Sequence, residues 1–178
     1  MMQSWLLWGM LPLVVFWAVG AYNRLVRLRA RSKTAFTQLD VQWSRQLALV
    51  QSSIPEEGYA AADATEALWV TLKSAHAQLQ TALGACRTNP LHVDHSMALQ
   101  AATGVMVTAW EGAVREGHDL AGAILPEKQV TEWQQLQQQT MDAQAQFNAA
   151  ITDYNTAIGQ FPAMMLASLF GFKPAKTL

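Results

Sequence analysis

Apolar residues between positions 25 and 161 recur at alternating steps of three and four, which is the spacing of one helical face. Turn signals interrupt this pattern at "IPEEG" (54–58) and "RTNP" (87–90), and a longer irregular stretch, "EGHDLAGAILP", covers 116–126. No segment alternates for long with the period of two that would indicate a strand. The pattern therefore predicts an all-α chain whose body is an antiparallel up-down bundle of four long helices.

The stripes also identify the residues that should face the interior of this bundle. Asp94 is expected to be the N-cap of the third helix, and Pro126 and Glu127 suit the first turn of the fourth. Each of the four helices carries one tryptophan, and equal helix lengths place all four in one aromatic layer in the half away from the N-terminus. The predicted core residues are Phe36, Leu39, Trp43, Leu47, Trp69, Leu72, Leu79, Trp110, Trp133, Leu136, Phe147 and Tyr154.

The first 23 residues, "MMQSWLLWGMLPLVVFWAVGAYN", contain no charged side chain and are long enough to span a bilayer as a helix. Trp5 and Trp8 mark one edge of this run, and Trp17 and Tyr22 mark the other, as in an interfacial aromatic belt. A cleaved signal peptide would have its basic residues before the apolar run, and a buried soluble helix is rarely apolar on every side. Residues 1–23 are therefore predicted to be a transmembrane anchor that continues into the first bundle helix.

Five basic residues follow the anchor directly, and the first acidic residue is Asp40. Positive residues stay on the cytoplasmic side, so we expect an outside N-terminus and a cytoplasmic body at the inner membrane. The net charge of -1 gives no sign of a nucleic-acid surface. The basic residues are Arg24, Arg27, Arg29, Arg31 and Lys33.

The chain ends on an apolar tail, residues 161–178, which is too short to cross a bilayer. Because the bundle, residues 24–160, has an even number of antiparallel helices, the chain should return to the membrane at residue 161. The tail is therefore expected to be an interfacial segment; the alternative is a tail folded against the bundle or another subunit. Together with the anchor aromatics, Arg24 and Arg27, the predicted interface comprises Phe161, Leu169, Phe170, Phe172 and Lys173.

Two stretches at opposite ends of the chain resemble the LemA family. They are "YNRLVRLRARSKTAFTQLDVQW" (22–43) and "YNTAIGQFPAMMLASLFGFKP" (154–174). The resemblance implies a bacterial membrane protein with one N-terminal anchor and a long-helix bundle. Members of the family are not established enzymes, and proposed roles link them to membrane organisation and to membrane-bound peptidases.

Candidate chemistry is sparse along the chain. His92 and His95, with Asp94 between them, could bind a metal from one helical face, or they form a polar turn at the start of the third helix. Asp40 could carry a proton, or it pairs with a basic side chain. The glutamine cluster at 133–140 could bond between chains, or it is an uncharged solvated face. No phosphate-binding loop or catalytic triad can be placed, so we expect no enzyme activity and no cofactor.

Charged residues make up 14% of the chain, against about 25% in ordinary domains, and the Ala- and Gln-rich faces would let helices of neighbouring subunits pack closely. The leading hypothesis is therefore a non-enzymatic scaffold that forms homo-oligomers at the bilayer and organises or shapes it. The alternative is an adaptor whose partner is another membrane protein, such as a peptidase or quality-control machine. A metal site at His92 and His95 is a third hypothesis.

Overall fold

The computed structural model consists of five α-helices. They are α1 (Met2–Ser53), α2 (Asp63–Thr88), α3 (Val93–Ala121), α4 (Glu127–Gly159) and α5 (Ala163–Leu169). The structure describes residues 2–55, 63–121 and 125–178, and it describes side chains for residues 12–55, 65–116 and 125–178. These ranges contain no β-strand, so the all-α prediction is confirmed.

α1 and α4 form one antiparallel pair. Ser32 donates to the carbonyl of Ala150 over 3.2 Å, and the rings of Phe36 and Phe147 meet edge to face with centroids 5.9 Å apart. Residue numbers rise along α1 while they fall along α4, which fixes the antiparallel direction. Small side chains at Ser32 and Ala150 let the two backbones approach closely, and the aromatic pair adds apolar contact.

α2 and α3 form a second antiparallel pair, joined by a short turn at residues 89–92. Two contacts tie this pair to the first. The rings of Trp110 on α3 and Trp133 on α4 stack with centroids 4.6 Å apart, and Arg87 on α2 forms a 2.9 Å ion pair with Asp40 on α1. The result is a four-helix bundle with one continuous hydrophobic core.

All twelve residues that the stripes place in the core are buried. Two of the four tryptophans stack directly, as described above. Counting from the Phe36–Phe147 contact at 1.5 Å per residue, Trp43 lies about 10 Å nearer the N-terminal end of the bundle than Trp133. Trp43 and the stacked pair Trp110–Trp133 are therefore about two helical turns apart, which is wider than the single layer expected from equal helix lengths.

The expected N-cap of the third helix is wrong, and that helix extends into the stretch with irregular appearance. α3 begins at Val93, because the amide of Ser96 already donates to the carbonyl of His92 over 3.1 Å. Asp94 therefore lies within the first turn and is not the N-cap. The stretch 116–126 is not irregular throughout, since α3 continues to Ala121. The one glycine in residues 116–121 does not end α3, because a single glycine inside a helix costs only about 1 kcal/mol, which the flanking helical residues can offset.

Candidate functional site at the proximal end

The C-terminal tail lies at the end of the bundle from which the N-terminal half of α1 projects; we name this the proximal end. The Tyr22 ring of α1 lies 4.8 Å from the Phe170 ring and 6.1 Å from the Phe172 ring, measured between centroids. After the four bundle helices, the chain has therefore come back to the level of Tyr22, as the helix lengths predict.

The segment "LFGFK" (169–173) forms the C-terminal cap of α5. The amide of Phe172 donates to the carbonyl of Ala167 over 2.9 Å, and the amide of Gly171 donates to that of Ser168 over 3.4 Å. This pair of bonds is the Schellman motif, which requires a left-handed residue at its centre. Gly171 supplies it with φ = +69°. The cap reverses the chain and directs residues 172–178 back along the bundle.

Residues 172–178, which we name the C-terminal strap, are held on α4 by two asparagine side chains. Asn155 donates to the carbonyl of Ala175 over 2.7 Å and accepts from its amide over 2.9 Å. Asn148 makes the same two bonds with Leu178, at 2.7 and 2.8 Å. Each side-chain amide therefore pairs with a backbone residue as a neighbouring β-strand would.

The spacing of the two asparagines matches the spacing of their partners. Asn148 and Asn155 are seven residues apart, which is two turns and about 10.5 Å along α4. Ala175 and Leu178 are three residues apart, which is about 10 Å in an extended chain. A helix and an extended strap therefore stay in register over both contacts, and each buried backbone group of those strap residues gains a partner.

Tyr154 is the third side chain of α4 that bonds the strap. Its hydroxyl donates to the carbonyl of Lys173 over 2.9 Å, and the residue is only 2% exposed. Burial raises the pKa of Tyr154 above its ordinary value, and the charge of nearby Arg29 lowers it by a smaller amount. Because the net shift is upward, the phenol stays protonated at neutral pH and can donate. The apolar stripes predict Tyr154 as a core residue, whereas they give no role to Asn148 or Asn155.

Large apolar side chains remain exposed at the proximal end, and we name this set the apolar collar. Phe16 on α1 is 84% exposed, and on the tail side Phe161 is 77% and Leu169 76% exposed. Monomeric soluble proteins rarely leave so many apolar side chains together in water. The collar comprises Leu13, Val14, Val15, Phe16, Trp17 and Val19 of α1, and Phe161, Met164, Met165, Leu169 and Phe170 of the tail.

The predicted interface residues divide into two groups. Trp17, Tyr22, Arg24 and Arg27 are exposed, as are Phe161, Leu169, Phe170 and Lys173. Phe172 is half-buried instead, because its ring packs against Tyr22 and lies 5.9 Å below the guanidinium of Arg29. Residues 161–170 present apolar side chains outward, whereas residues 172–178 fold against the bundle, which is the alternative expected for the tail.

In the part of the chain that the structure describes, no helix is long and apolar enough to cross a membrane. The side chains of residues 1–11, about half of the predicted anchor, lie outside the described part of the chain. Trp5 and Trp8 are among them. The backbone of α1 nevertheless runs as one helix from Met2 through Pro12 to Ser53.

The histidine pair lies at the start of α3. The imidazoles of His92 and His95 are 4.5 Å apart between centroids, and a nitrogen of His92 lies 3.8 Å from the carboxylate of Asp94. Nδ1 of His95 lies 3.3 Å from the carbonyl of Asn89. In the part of the chain that the structure describes, no three metal-binding side chains converge. These residues therefore form a polar turn beside the tail.

The remaining candidate groups have structural partners. Asp40 pairs with Arg87, whose guanidinium also donates to Ser44 over 2.9 Å. Burial raises the pKa of the single cysteine, Cys86, to about 11, so its thiol is protonated at neutral pH. In the glutamine cluster, Gln138 donates to Asp142 one turn further along α4 over 3.1 Å. None of these groups forms a catalytic arrangement with another.

The geometry defines a class: an antiparallel helical bundle whose C-terminal tail caps the proximal end and folds back on the last helix. Residues 127–178, which comprise α4, α5 and the strap, match the model of the LemA family. The predicted relationship to the LemA family is therefore confirmed over this part of the chain. Searches of curated proteins and of solved structures found no match.

Proposed function

We propose that this protein is a non-enzymatic, membrane-anchored scaffold of the bacterial inner membrane, with its bundle on the cytoplasmic side. In this proposal residues 1–23 are the anchor and the tail is a second membrane contact. Subunits assemble side by side and organise or shape the bilayer. Two attachments to lipid would hold the bundle at a fixed angle to the membrane.

The observation that carries the proposal is the apolar collar. Its α1 part continues the uncharged N-terminal run, and its tail part lies at the same end of the bundle, linked through the Tyr22–Phe170 ring contact at 4.8 Å. Exposed Arg24 and Arg27 follow at once on α1. An apolar surface bordered by basic side chains is typical of segments at the interface of an anionic membrane.

Lipid contact can be tested with a photoactivatable phosphatidylcholine in vesicles that contain the full-length protein. We expect labelled peptides from residues 12–22 and from 161–170, and no labelling of the exposed side of α4. Met165→Ser with Leu169→Ser should reduce tail labelling several-fold, because both side chains are exposed and neither belongs to the core. Met141→Ser on α4, which is similarly exposed, is the matched control. An unlabelled tail beside a labelled α1 would contradict the second attachment.

The self-assembly part of the proposal is supported by the outward face of α2 and α3. A groove of about 590 Å³ runs along it and is lined by small and apolar residues such as Ala101, Gly104, Val105 and Thr108. Val70 and Val105 on these helices are 59% and 44% exposed. Because anchors would hold all copies in the same orientation, the groove of each copy would lie at the same height, and we propose that a second copy occupies it.

Engineered cysteines can test this contact, since Cys86 is buried and protonated. Thr108→Cys should form disulfide-linked dimers in oxidised native membranes, whereas Gln138→Cys on the exposed side of α4 should not. The Gln138→Cys variant, whose side chain stays free in this proposal, should react with an impermeant maleimide only after the cytoplasmic side is opened. If Thr108→Cys formed no dimer and a different protein co-purified at fixed stoichiometry, the adaptor would replace the scaffold.

A further inference from the structure

A cavity of about 230 Å³ lies where the strap, α4, α1 and the α2–α3 turn meet. Its wall includes the basic side chains of Arg29 and Lys173, the imidazole of His92 and the phenol of Tyr154. The cavity can hold several water molecules at about 30 Å³ each, and therefore also a group as small as a phosphate. The strap closes one side of it, so the cavity exists only while the tail is docked.

The charge lining this cavity is not balanced by the protein. Neither Arg29 nor Lys173 forms an ion pair among the side chains that the structure describes. The carboxylate of Asp94 lies 3.8 Å from a nitrogen of His92, and the Asp94 side chain is 83% exposed. The cavity also includes Val93, the first residue of α3, so the positive end of that helix dipole faces it.

We propose that this cavity binds a phosphate-bearing anion, with Arg29 and Lys173 as its charged ligands. A guanidinium and an ammonium offer several donors to phosphate oxygens, and bonds between ionised partners are about twice as strong as neutral ones. His92 is a further donor from the opposite wall. The bound anion would connect the strap to α1 and to the α2–α3 turn, and so hold the tail in place.

The phosphate can come from a lipid headgroup or from a free anion. Arg29 lies seven residues beyond Tyr22 on α1, which is about 10 Å from the Tyr22–Phe170 contact towards the aqueous side. If the collar contacts lipid, the cavity lies at the level of the headgroups. The lipid source therefore rests on the proposed membrane contact, whereas the free-anion source does not.

Binding can be measured with the full-length protein in a detergent without charge, titrated separately with dihexanoyl-phosphatidylglycerol and with inorganic phosphate. We expect saturable binding of one phosphate group per chain. Arg29→Gln with Lys173→Gln should weaken it at least tenfold, whereas Lys33→Gln with Lys128→Gln, which removes the same charge elsewhere, should change it less than twofold. Lys173→Gln alone is an independent check, because only the main-chain carbonyl of Lys173 takes part in docking the strap.

The two titrations distinguish a lipid headgroup from a free anion as the source of the phosphate. Binding of both probes with similar affinity supports a free anion, and binding of the short-chain lipid alone supports a headgroup. Binding of neither, or equal loss in both charge-removal variants, overturns the site. Membrane contact of the tail is read in a separate experiment with the zwitterionic photoactivatable phosphatidylcholine, so its failure would leave the inorganic-phosphate result unaffected.

Discussion

The two helix pairs of this bundle differ in what they carry at their proximal ends. α1 and α4 extend to the level of Tyr22, where the tail covers α4 and contacts α1 through aromatic rings. α2 and α3 end in a turn near Arg29 and Tyr154, which line the same cavity as Asn89 and Leu91. One pair therefore forms the proposed membrane end, and the other supplies a side wall and an outward groove lined largely by small and apolar residues.

The match to the LemA family model falls on one side of this difference. The matched residues 127–178 belong wholly to α4, α5 and the strap, and they contain Asn148, Tyr154, Asn155 and Gly171. Each of these residues has a specific structural role: Asn148, Tyr154 and Asn155 bond the strap, and Gly171 caps α5. The α2–α3 pair needs only apolar stripes and short turns, which many sequences can provide. The recognisable motifs lie where the geometry is most demanding.

The largest expected effect tests whether the two pairs unfold as one unit. Phe147→Ala removes a fully buried ring that packs against Phe36, and such substitutions cost about 3 to 5 kcal/mol in the free energy of unfolding. Because one continuous core joins all four helices, α2 and α3 should lose stability together with α1 and α4. Hydrogen exchange of the full-length protein in detergent, read helix by helix, measures this.

Phe161→Ala is the matched control, since the same ring is removed from a 77% exposed position and should cost less than about 0.5 kcal/mol. If α2 and α3 kept their full protection in the Phe147→Ala variant, the pairs would be separate folding units. The bundle would then consist of two folding units in contact through the Trp110–Trp133 stack.

A smaller and more local effect is expected at the strap. Asn155→Ala removes both bonds to Ala175, which together contribute about 1 to 2 kcal/mol, so exchange in residues 173–178 should be roughly 5- to 30-fold faster. Asn155→Asp keeps the acceptor and loses the donor, so its exchange rate should lie between those of the wild-type protein and of Asn155→Ala. Gln134→Ala on the exposed side of α4 is the control. Faster exchange across α2 and α3 as well would show that the strap stabilises the whole bundle.

The sequence predicts the bundle well because its core positions are repeated: one stripe per helix identifies residues such as Phe36, Leu72 and Phe147 without knowledge of their partners. It also predicts the level of the tail, which follows from the number of helices. It does not predict the asparagine contacts. Asn148 and Asn155 look like solvated positions on a helix, and their partners lie 30 and 20 residues further along the chain. The signal was present as the Tyr154–Asn155 pair of the LemA-like motif, but its physical role appears only once the strap is placed.

The smallest effect, and the sharpest test of how the tail turns back, is expected at Gly171. A side chain at φ = +69° costs about 1 kcal/mol, and the space around the glycine is open, so Gly171→Ala should introduce backbone strain without a steric clash. Gly159→Ala, at the end of α4, also meets open space and has no positive φ, so it should be neutral or slightly stabilising. We expect Gly171→Ala to speed exchange in residues 172–178 several-fold and to leave α2 and α3 unchanged. Equal behaviour of the two variants would mean that the asparagine and tyrosine bonds, and not the helix cap, direct the strap onto α4.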